Sequence, residues 1–265
     1  MRVIVTRPER EAQQWVRDLS TQGLQASALP LIKIASVDNA SGLAQAWQEL
    51  AEYVGVMFVS ANAVAHFFAA KPPSISAFNV HAEVRTRAWA TGPGTARALL
   101  REGVAPELLD TPPPDQGQFD SEALWQVIAA QVSPGSRVLI VRGIDAGRSD
   151  DAAQGSGREW FARQVTQAGA RPEFVVAYQR CAPEFSAVER ELAGQGAADG
   201  SVWLLSSTEA VANLSAWLPG QSWSGARALA THPRIAAAAR VAGFGVVCES
   251  RPTLADVVAS LESMQ

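Results

Sequence analysis

The sequence has few of the residues that build metal and redox sites. Its 265 residues include two cysteines and three histidines, and none of these is spaced from another as zinc ligands usually are. The cysteines, Cys181 and Cys248, form no CxxC pair. We predict two free, mostly buried thiols, although the sequence alone does not exclude a disulfide between them. No zinc site is expected.

Long apolar runs and an excess of basic charge are also lacking. No apolar run approaches the ~20 residues of a membrane-spanning helix, and the N-terminus lacks the apolar core and cleavage site of a signal peptide. The formal net charge of −4 is opposite to the basic excess typical of nucleic-acid-binding proteins. We therefore expect a cytoplasmic protein that binds neither nucleic acid nor membrane. An anionic ligand would be bound by local arginines and backbone N–H groups.

The chain does have an internal repeat. Its 265 residues are enough for one large domain or two of ordinary size, and the 48% of hydrophobic residues is a globular composition. Each repeated segment is a short apolar strand, a turn of small or polar residues, and a helix. ATGPGTARALLREG, for example, matches ALATHPRIAAAARVAG. The segments that begin at Arg2, Gly55 and Ala90 match those that begin at Arg137, Ser201 and Ala228, respectively.

The alternation of continuous apolar strands with amphipathic helices predicts an α/β fold. Such strands are typical of parallel sheets that are covered on both faces. Glycines follow the predicted helices and precede the next strands, as helix-ending glycines do: Gly23, Gly103, Gly169 and Gly243. We predict two doubly wound, flavodoxin-like domains. A Pro-rich segment (111–118) and a Gly/Ser/Asp-rich segment (144–157) are predicted as loops.

Counting strands predicts how the chain is divided. Residues 1 to about 34 hold only two strands, and the part after residue 179 lacks an opening unit. If the two ends of the chain together form one domain, both domains have enough strands for a complete sheet. We predict that residues 1–36 and 174–265 form one discontinuous domain, with residues 37–173 inserted as the second. The segments LPLIKIAS and EFVVAYQRC would then pair as a two-stranded linker.

The chain resembles the uroporphyrinogen-III synthase family. The resemblance runs from end to end, through motifs that are weak singly but specific as an ordered set: VTRP (5–8), LPLIKI (29–34), FVSANAV (58–64), ATGPGTARAL (90–99), FDSEAL (119–124), RVLIVRG (137–143), GREWF (157–161), VVAYQR (175–180) and LLSSTEAV (204–211). It implies two α/β domains joined by a two-stranded linker, with the active site in the cleft between them.

The resemblance also implies a reaction. Family members cyclise hydroxymethylbilane, a linear tetrapyrrole with eight carboxylates, to uroporphyrinogen III. The last pyrrole ring, ring D, is inverted through a spiro intermediate, and water is released without a cofactor or metal. The substrate also closes spontaneously to the wrong isomer, so the enzyme's task is chiefly to hold the chain in position. A stand-alone monomer is expected, and its expected partner is the enzyme that makes the substrate, through a transient hand-off.

Several turns are predicted to bind the substrate's carboxylates. In doubly wound sheets, ligands meet helix N-termini at the carboxyl ends of strands. Each turn alone is better explained by N-capping, but given the resemblance we interpret the set as a binding site. The predicted residues are Thr6 and Arg7; Ser60, Ala61 and Asn62; Gly92, Pro93, Gly94 and Thr95; Arg142 and Gly143; and Ser206, Ser207 and Thr208.

Further roles follow from the resemblance. Tyr178 matches a tyrosine that the family places near the cleft, and it is the candidate proton donor to the departing hydroxyl of ring A; the alternative is a linker tyrosine that only packs.

In the second Gly-Pro-like turn, His232 and Ile235 depart from the family's pattern. His232 would either bind a carboxylate as a cation or only line the cleft rim. Arg7, Arg142, Arg158 and Arg180 are candidate carboxylate partners.

Two other functions are compatible with parts of the pattern. A non-catalytic two-domain protein that binds an anionic metabolite would use the same repeat and the same turns. A nucleotide or phosphate-ester enzyme is disfavoured, because neither GxxxxGK[ST] nor GxGxxG occurs in the chain.

Overall fold

The computed structural model describes residues 1–79, 85–113, 119–146 and 156–264, and for residues 156–158 it describes the backbone alone. Most of the two predicted loops, 111–118 and 144–157, therefore lies outside the described residues. Across the part of the chain that is described, no helix combines the length and the apolar character needed to cross a membrane.

The strands are short and follow the apolar runs of the sequence. They are β1 (Arg2–Val5), β2 (Gln25–Ala28), β3 (Lys33–Ser36), β4 (Tyr53–Phe58), β5 (Arg87–Ala90), β6 (Leu109–Asp110), β7 (Arg137–Asp145), β8 (Arg171–Cys181), β9 (Val202–Leu205), β10 (Arg227–Ala230) and β11 (Val246–Glu249).

Helices alternate with these strands. They are α1 (Glu9–Thr21), α2 (Ser41–Gln48), α3 (Ala61–Ala69), α4 (Pro93–Arg101), α5 (Ser121–Ile128), α6 (Ser156–Gln167), α7 (Ala187–Gly196), α8 (Thr208–Trp217), α9 (Pro233–Val241) and α10 (Leu254–Ser263). The four predicted helix-ending glycines all have the positive φ that favours glycine, from 76° at Gly23 to 94° at Gly243.

The chain divides into two compact units. Unit 1 consists of Met1–Ile34 and Cys181–Gln265, and unit 2 of Ala35–Arg180. The predicted second boundary, between residues 173 and 174, lies seven residues before the one in the structure. The difference arises because β8 stays paired with β7 as far as Arg180, so these residues belong to the sheet of unit 2.

Unit 1 is a five-stranded sheet in the order β11-β10-β9-β1-β2, in which all neighbours are parallel. Along β1, Ile4 packs in one apolar cluster with residues of α7, α8 and α9. Val3 and Val5 point to the other face and pack in a second cluster, with residues of α1 and α10. Both faces of the sheet are therefore covered, which confirms the doubly wound prediction.

Unit 2 is a six-stranded sheet in the order β3-β8-β7-β4-β5-β6, and its strands from β8 to β6 are parallel. The edge strand β3 comes from LPLIKIAS and lies beside β8, which comes from EFVVAYQRC. The two segments predicted to form a two-stranded linker are therefore neighbours in the sheet.

Five strands lie in the same spatial order in both sheets, but the order in which the chain visits them is circularly permuted. Strands β2-β1-β9-β10-β11 of unit 1 correspond in position to β8-β7-β4-β5-β6 of unit 2. The three repeats found in the sequence match these positions, since β1 corresponds to β7, β9 to β4, and β10 to β5. Because the chain enters unit 2 in the middle of this order, the repeats appear in the sequence at unequal distances.

One predicted turn is instead part of a strand. Arg142 and Gly143 were expected to follow the strand that starts at Arg137, but β7 continues to Asp145. Its partner β8 runs parallel to it over this length, and the register shifts between Arg142, opposite Val176, and Gly143, opposite Tyr178. The long neighbouring strand satisfies the backbone of β7 beyond the predicted end.

Candidate active site

Four adjacent parallel strands of unit 2 bring most of its predicted site residues to one edge of the sheet. In the order β8-β7-β4-β5, their carboxyl ends carry Tyr178, Gly143, Ser60 and Gly92. Parallel strands end at the same edge, so residues far apart in the sequence come together there.

Tyr178 is held from several sides. Its side chain is 4% exposed, and its Oη lies 3.1 Å from Oγ of Ser60. A Cβ atom added at Gly143 would lie 2.4 Å from Cε2 and Cζ of the Tyr178 ring, so only glycine leaves room for this ring. The register shift makes Ala177 the extra residue of β8 and brings Tyr178 opposite Gly143, as β-bulges near functional sites often re-aim a side chain.

His66 is a neighbour of Tyr178 that the sequence analysis missed. It lies in the last turn of α3, and its ring centroid is 5.8 Å from that of Tyr178. The helical spacing of α3 alone gives no sign of this, because the contact depends on where β8 lies relative to α3.

The N-terminus of α3 is built by Ser60. Its backbone is extended, and its Oγ accepts a hydrogen bond of 3.1 Å from the backbone N–H of Ala63. Ala61 and Asn62 form the first turn of the helix, where backbone N–H groups have no partner within the helix. This turn, with the positive end of the helix dipole, suits an anion.

The N-terminus of α4 is built differently. Its N-cap is Gly92, and no described side chain caps the helix. Pro93 has no N–H group, so Gly94 and Thr95 carry the first donors of this turn. A Cβ added at Gly92 would lie 3.1 Å from Cβ of Phe119, so the lack of a side chain lets the two segments approach closely.

Unit 1 has its own row of predicted residues. They follow the adjacent strands β1, β9 and β10. The side chain of Thr6 is 1% exposed, and its hydroxyl donates to the carbonyl of Leu204 at 2.7 Å, which holds the turn against β9. After β9 come Ser206, Ser207 and Thr208. Oγ of Ser207 accepts a hydrogen bond of 3.1 Å from the N–H of Glu209 and so caps α8.

His232 is the N-cap of α9. Its Nδ1 accepts a hydrogen bond of 3.1 Å from the backbone N–H of Arg234. A ring nitrogen that accepts in this way carries no proton, so in this geometry Nδ1 caps the helix and does not bind a carboxylate. Ile235 is 7% exposed and packs in the core of unit 1, which accounts for an apolar residue at this position.

The predicted arginines have protein partners. Arg7 lies 3.3 Å from Glu11 and 4.7 Å above the ring of Trp15. Nε of Arg180 donates to Asp145 at 3.0 Å.

Arg142 is 3% exposed, and its guanidinium carbon lies 5.2 Å from the ring centroid of Phe174. The side chain of Arg158 lies outside the described residues, so its predicted role stays a prediction.

The sheet of unit 2 also carries a charged network at the amino ends of its strands. Arg137 donates to both oxygens of Glu173 at 2.8 Å, and Oη of Tyr53 donates to Glu173 at 3.0 Å. Hydrogen bonds from Arg137 hold the pKa of Glu173 and of Glu49 below their ordinary value. Burial and the hydrogen bond to Glu173 raise the pKa of Tyr53. The network joins the first residues of β4 and β7 to β8, at the end of the strands opposite Tyr178.

A metal site would need several ligands close together. Within the described ranges, no three His, Cys, Asp or Glu side chains lie close enough to hold a metal ion. Cys181 and Cys248 are free thiols, as predicted, but both are half-buried and neither is fully enclosed.

Comparison with known proteins identifies the family. The family model described as "Uroporphyrinogen-III synthase HemD" matches residues 13–259. A uroporphyrinogen-III synthase of Escherichia coli (strain K12) is 28% identical over 224 residues, which is 83% of this chain and 80% of that protein. The synthase of Chlorobaculum parvum is 31% identical over 113 residues, so the match spans 40% of this chain and 41% of that relative.

Solved structures have the same fold. The uroporphyrinogen-III synthetase of Helicobacter pylori superposes with a TM-score of 0.56 at 11% identity, with 100% of both chains covered. A mutant synthase of Thermus thermophilus gives a TM-score of 0.53 at 14% identity, with 100% of this chain and 98% of that chain covered. These identities are low, so the structures support the fold, and the family model carries the assignment. The chain belongs to the uroporphyrinogen-III synthase family.

Proposed function

We propose that this chain cyclises hydroxymethylbilane to uroporphyrinogen III, with inversion of ring D and release of water. The observation that carries the proposal is the family match, which extends over residues 13–259. The row of helix N-termini at one edge of each sheet supports it, because a substrate with eight carboxylates needs many anion-binding groups.

In this proposal, the turns of each unit bind carboxylates mainly through backbone N–H groups. In unit 2, Ala61 and Asn62 at the start of α3, and Gly94 and Thr95 at the start of α4, provide these groups. Within unit 2, α4 supports the role better than α3, since no described side chain caps it, whereas Ser60 caps α3. In unit 1, the turns after β1, β9 and β10 act in the same way. The buried hydroxyl of Thr6 holds its turn in shape.

Tyr178 is the proposed proton donor to the departing hydroxyl of ring A. Its proton moves to the leaving oxygen, which departs as water with the electron pair of the C–O bond. Ring D then attacks the resulting cation through its substituted carbon, which gives the spiro intermediate. The bond from that carbon to the bridge of ring C breaks and forms again at the unsubstituted α-carbon of ring D, which inverts the ring. This carbon then loses its proton, so one proton is taken up by the leaving hydroxyl and one is released. The close contacts of Tyr178 with Gly143 and Ser60 support a fixed position for this hydroxyl.

The reaction class follows from this chemistry. We propose a carbon–oxygen lyase that needs no cofactor, because positioning and one weak acid suffice for a substrate that also closes spontaneously. The enzyme is proposed to act as a monomer that receives its unstable substrate promptly after release. Unchanged turnover after exhaustive dialysis against a chelator would support independence from metals.

Isomer analysis tests the proposal. Fresh hydroxymethylbilane is incubated with the purified protein, the products are oxidised, and type I and type III uroporphyrins are separated. An excess of type III over the control without protein is expected. Type I alone, formed at the spontaneous rate, would contradict the proposal. The Tyr178→Phe variant then tests the proton donor: it should bind the substrate normally and turn over roughly 10²- to 10⁴-fold more slowly.

A further inference from the structure

The hydroxyl of Ser60 is in contact with the candidate proton donor. Oγ of Ser60 lies 3.1 Å from the backbone N–H of Ala63 and 3.1 Å from Oη of Tyr178. The two residues are 118 positions apart in the sequence and lie at the same edge of the sheet, at the ends of β4 and β8, which β7 separates.

Counting donors and acceptors shows what this contact can do. A serine hydroxyl has one proton to donate and can accept two hydrogen bonds. The N–H of Ala63 uses one acceptor site, so the proton of Ser60 remains for Oη of Tyr178. When Tyr178 has given up its proton, its oxygen can only accept. The Ser60 hydroxyl then supplies the hydrogen bond that a phenolate needs.

The position of Ser60 adds an electrostatic contribution. As the N-cap of α3, it lies at the positive end of the dipole of a nine-residue helix. Negative charge is favoured within the first turn of a helix. A phenolate oxygen next to Oγ of Ser60 would be stabilised both by the hydroxyl and by this end of the helix.

Among the described residues, a capping serine paired with a tyrosine, as in Ser60 and Tyr178, occurs in unit 2 alone. Ser207 occupies the corresponding position after β9 and caps α8 as Ser60 caps α3. The chain has two tyrosines, however, and Tyr53 and Tyr178 both fall in unit 2. Capping alone therefore accounts for Ser207, whereas Ser60 has an additional partner.

We infer that Ser60 is a positioning residue for Tyr178: its hydroxyl orients the phenol and donates to the phenolate formed when the proton is transferred. This inference rests on the proposed function and assigns Ser60 a role through Tyr178, in place of direct substrate binding. A hydrogen bond to a charged group is strong enough to change turnover by roughly 10- to 100-fold.

Three substitutions of Ser60 separate capping from positioning. Ser60→Gly removes the hydroxyl but keeps most of the N-cap stability, since glycine is nearly as favourable as serine at an N-cap. Ser60→Ala removes both, and Ser60→Thr keeps both. The matched control for capping is Ser186→Ala, which removes the exposed capping box of α7, a helix to which the proposal assigns no contact with Tyr178 or the substrate.

The readout is kcat and KM for formation of the type III isomer. We expect Ser60→Gly and Ser60→Ala to lower kcat by roughly 10- to 100-fold with KM unchanged, and Ser60→Thr and Ser186→Ala to keep the wild-type kcat. In a Tyr178→Phe background, Ser60→Gly should cause no further loss, because both changes remove one interacting unit.

The outcomes are distinct. An inactive wild-type protein would refute the proposed function. An active wild type with an unchanged kcat in Ser60→Gly, or with losses that multiply in the double variant, would refute the role of Ser60 and leave the proposed function intact. A raised KM at constant kcat would assign Ser60 to substrate binding, and so would also overturn the inference.

Discussion

Gly143→Ala tests whether the position of Tyr178 determines activity. Gly143 faces the phenol ring from the neighbouring strand, and an added Cβ would lie 2.4 Å from two of its ring carbons and 2.9 Å from a third. Both residues lie in paired strands, β7 and β8, whose backbones are fixed by their hydrogen bonds. The ring is therefore the part that must move.

The size of the effect follows from these distances. Carbon atoms in ordinary contact are about 3.5–4.0 Å apart, so the ring must shift by about 1 Å. A shift of this size is enough to break the 3.1 Å contact between Oη and Oγ of Ser60. Overpacking of this kind costs roughly 1–3 kcal/mol of stability, and a displacement of about 1 Å lowers turnover by about 100-fold.

Gly55→Ala is the matched control. Gly55 lies in β4 of the same sheet, and an added Cβ there would lie 2.3 Å from Cζ2 of the fully buried Trp89. The two variants should lose similar stability in urea unfolding, because each pushes an aromatic ring out of its place. Their activities should differ, since Trp89 takes no part in the proposed site.

The assay is the rate of type III formation per folded molecule, measured for both variants at a temperature where both are folded. We expect a large loss of kcat in Gly143→Ala and a wild-type kcat in Gly55→Ala. If Gly143→Ala loses stability like Gly55→Ala but keeps its kcat, the argument that Tyr178 must be held in place is wrong.

Two further predictions concern stability. Arg137 lowers the pKa of Glu173, so this ion pair stabilises the folded state fully at pH values above 4.5, the ordinary pKa. The stabilisation is lost as the pH falls through the lowered pKa. Glu173→Gln should cost roughly 1–3 kcal/mol at neutral pH and weaken the loss of stability in acid, as urea unfolding at several pH values would show; an unchanged pH dependence would contradict this. His232→Ala should cost about 1 kcal/mol, whereas His232→Asn should restore the cap. Equal losses in both variants, measured by thermal unfolding, would argue against capping by Nδ1.

Local features were predictable from the sequence because they depend on neighbours along the chain. The glycines at 23, 103, 169 and 243 all end helices with positive φ. The turns at Ser60, Ser207 and Gly92 all start helices. The repeats indicated which strands correspond, and the alternation of apolar strands with amphipathic helices indicated the doubly wound sheets.

Errors arose where a partner strand overrode local chemistry. The Arg-Gly pair at 142–143 has turn-like composition, yet it lies in a strand because β8 pairs with it throughout. Because of the same pairing, unit 2 extends to residue 180 in the structure, whereas the predicted domain ended at residue 173. His232 is the N-cap of α9, and whether it also binds a carboxylate or only lines the cleft rim stays a prediction.

The sequence by itself determined the alternating elements, the repeats and the turns that start α3, α4 and α8, since strand and helix periods and glycine stops are local properties. The tertiary structure alone decided which turns became neighbours. The order of the strands in the sheet places β8 two strands from β4, and the register shift at Ala177 turns Tyr178 toward Gly143 and Ser60. No local pattern contains these pairings, because they depend on how strands far apart in the chain are ordered and held in register by hydrogen bonds.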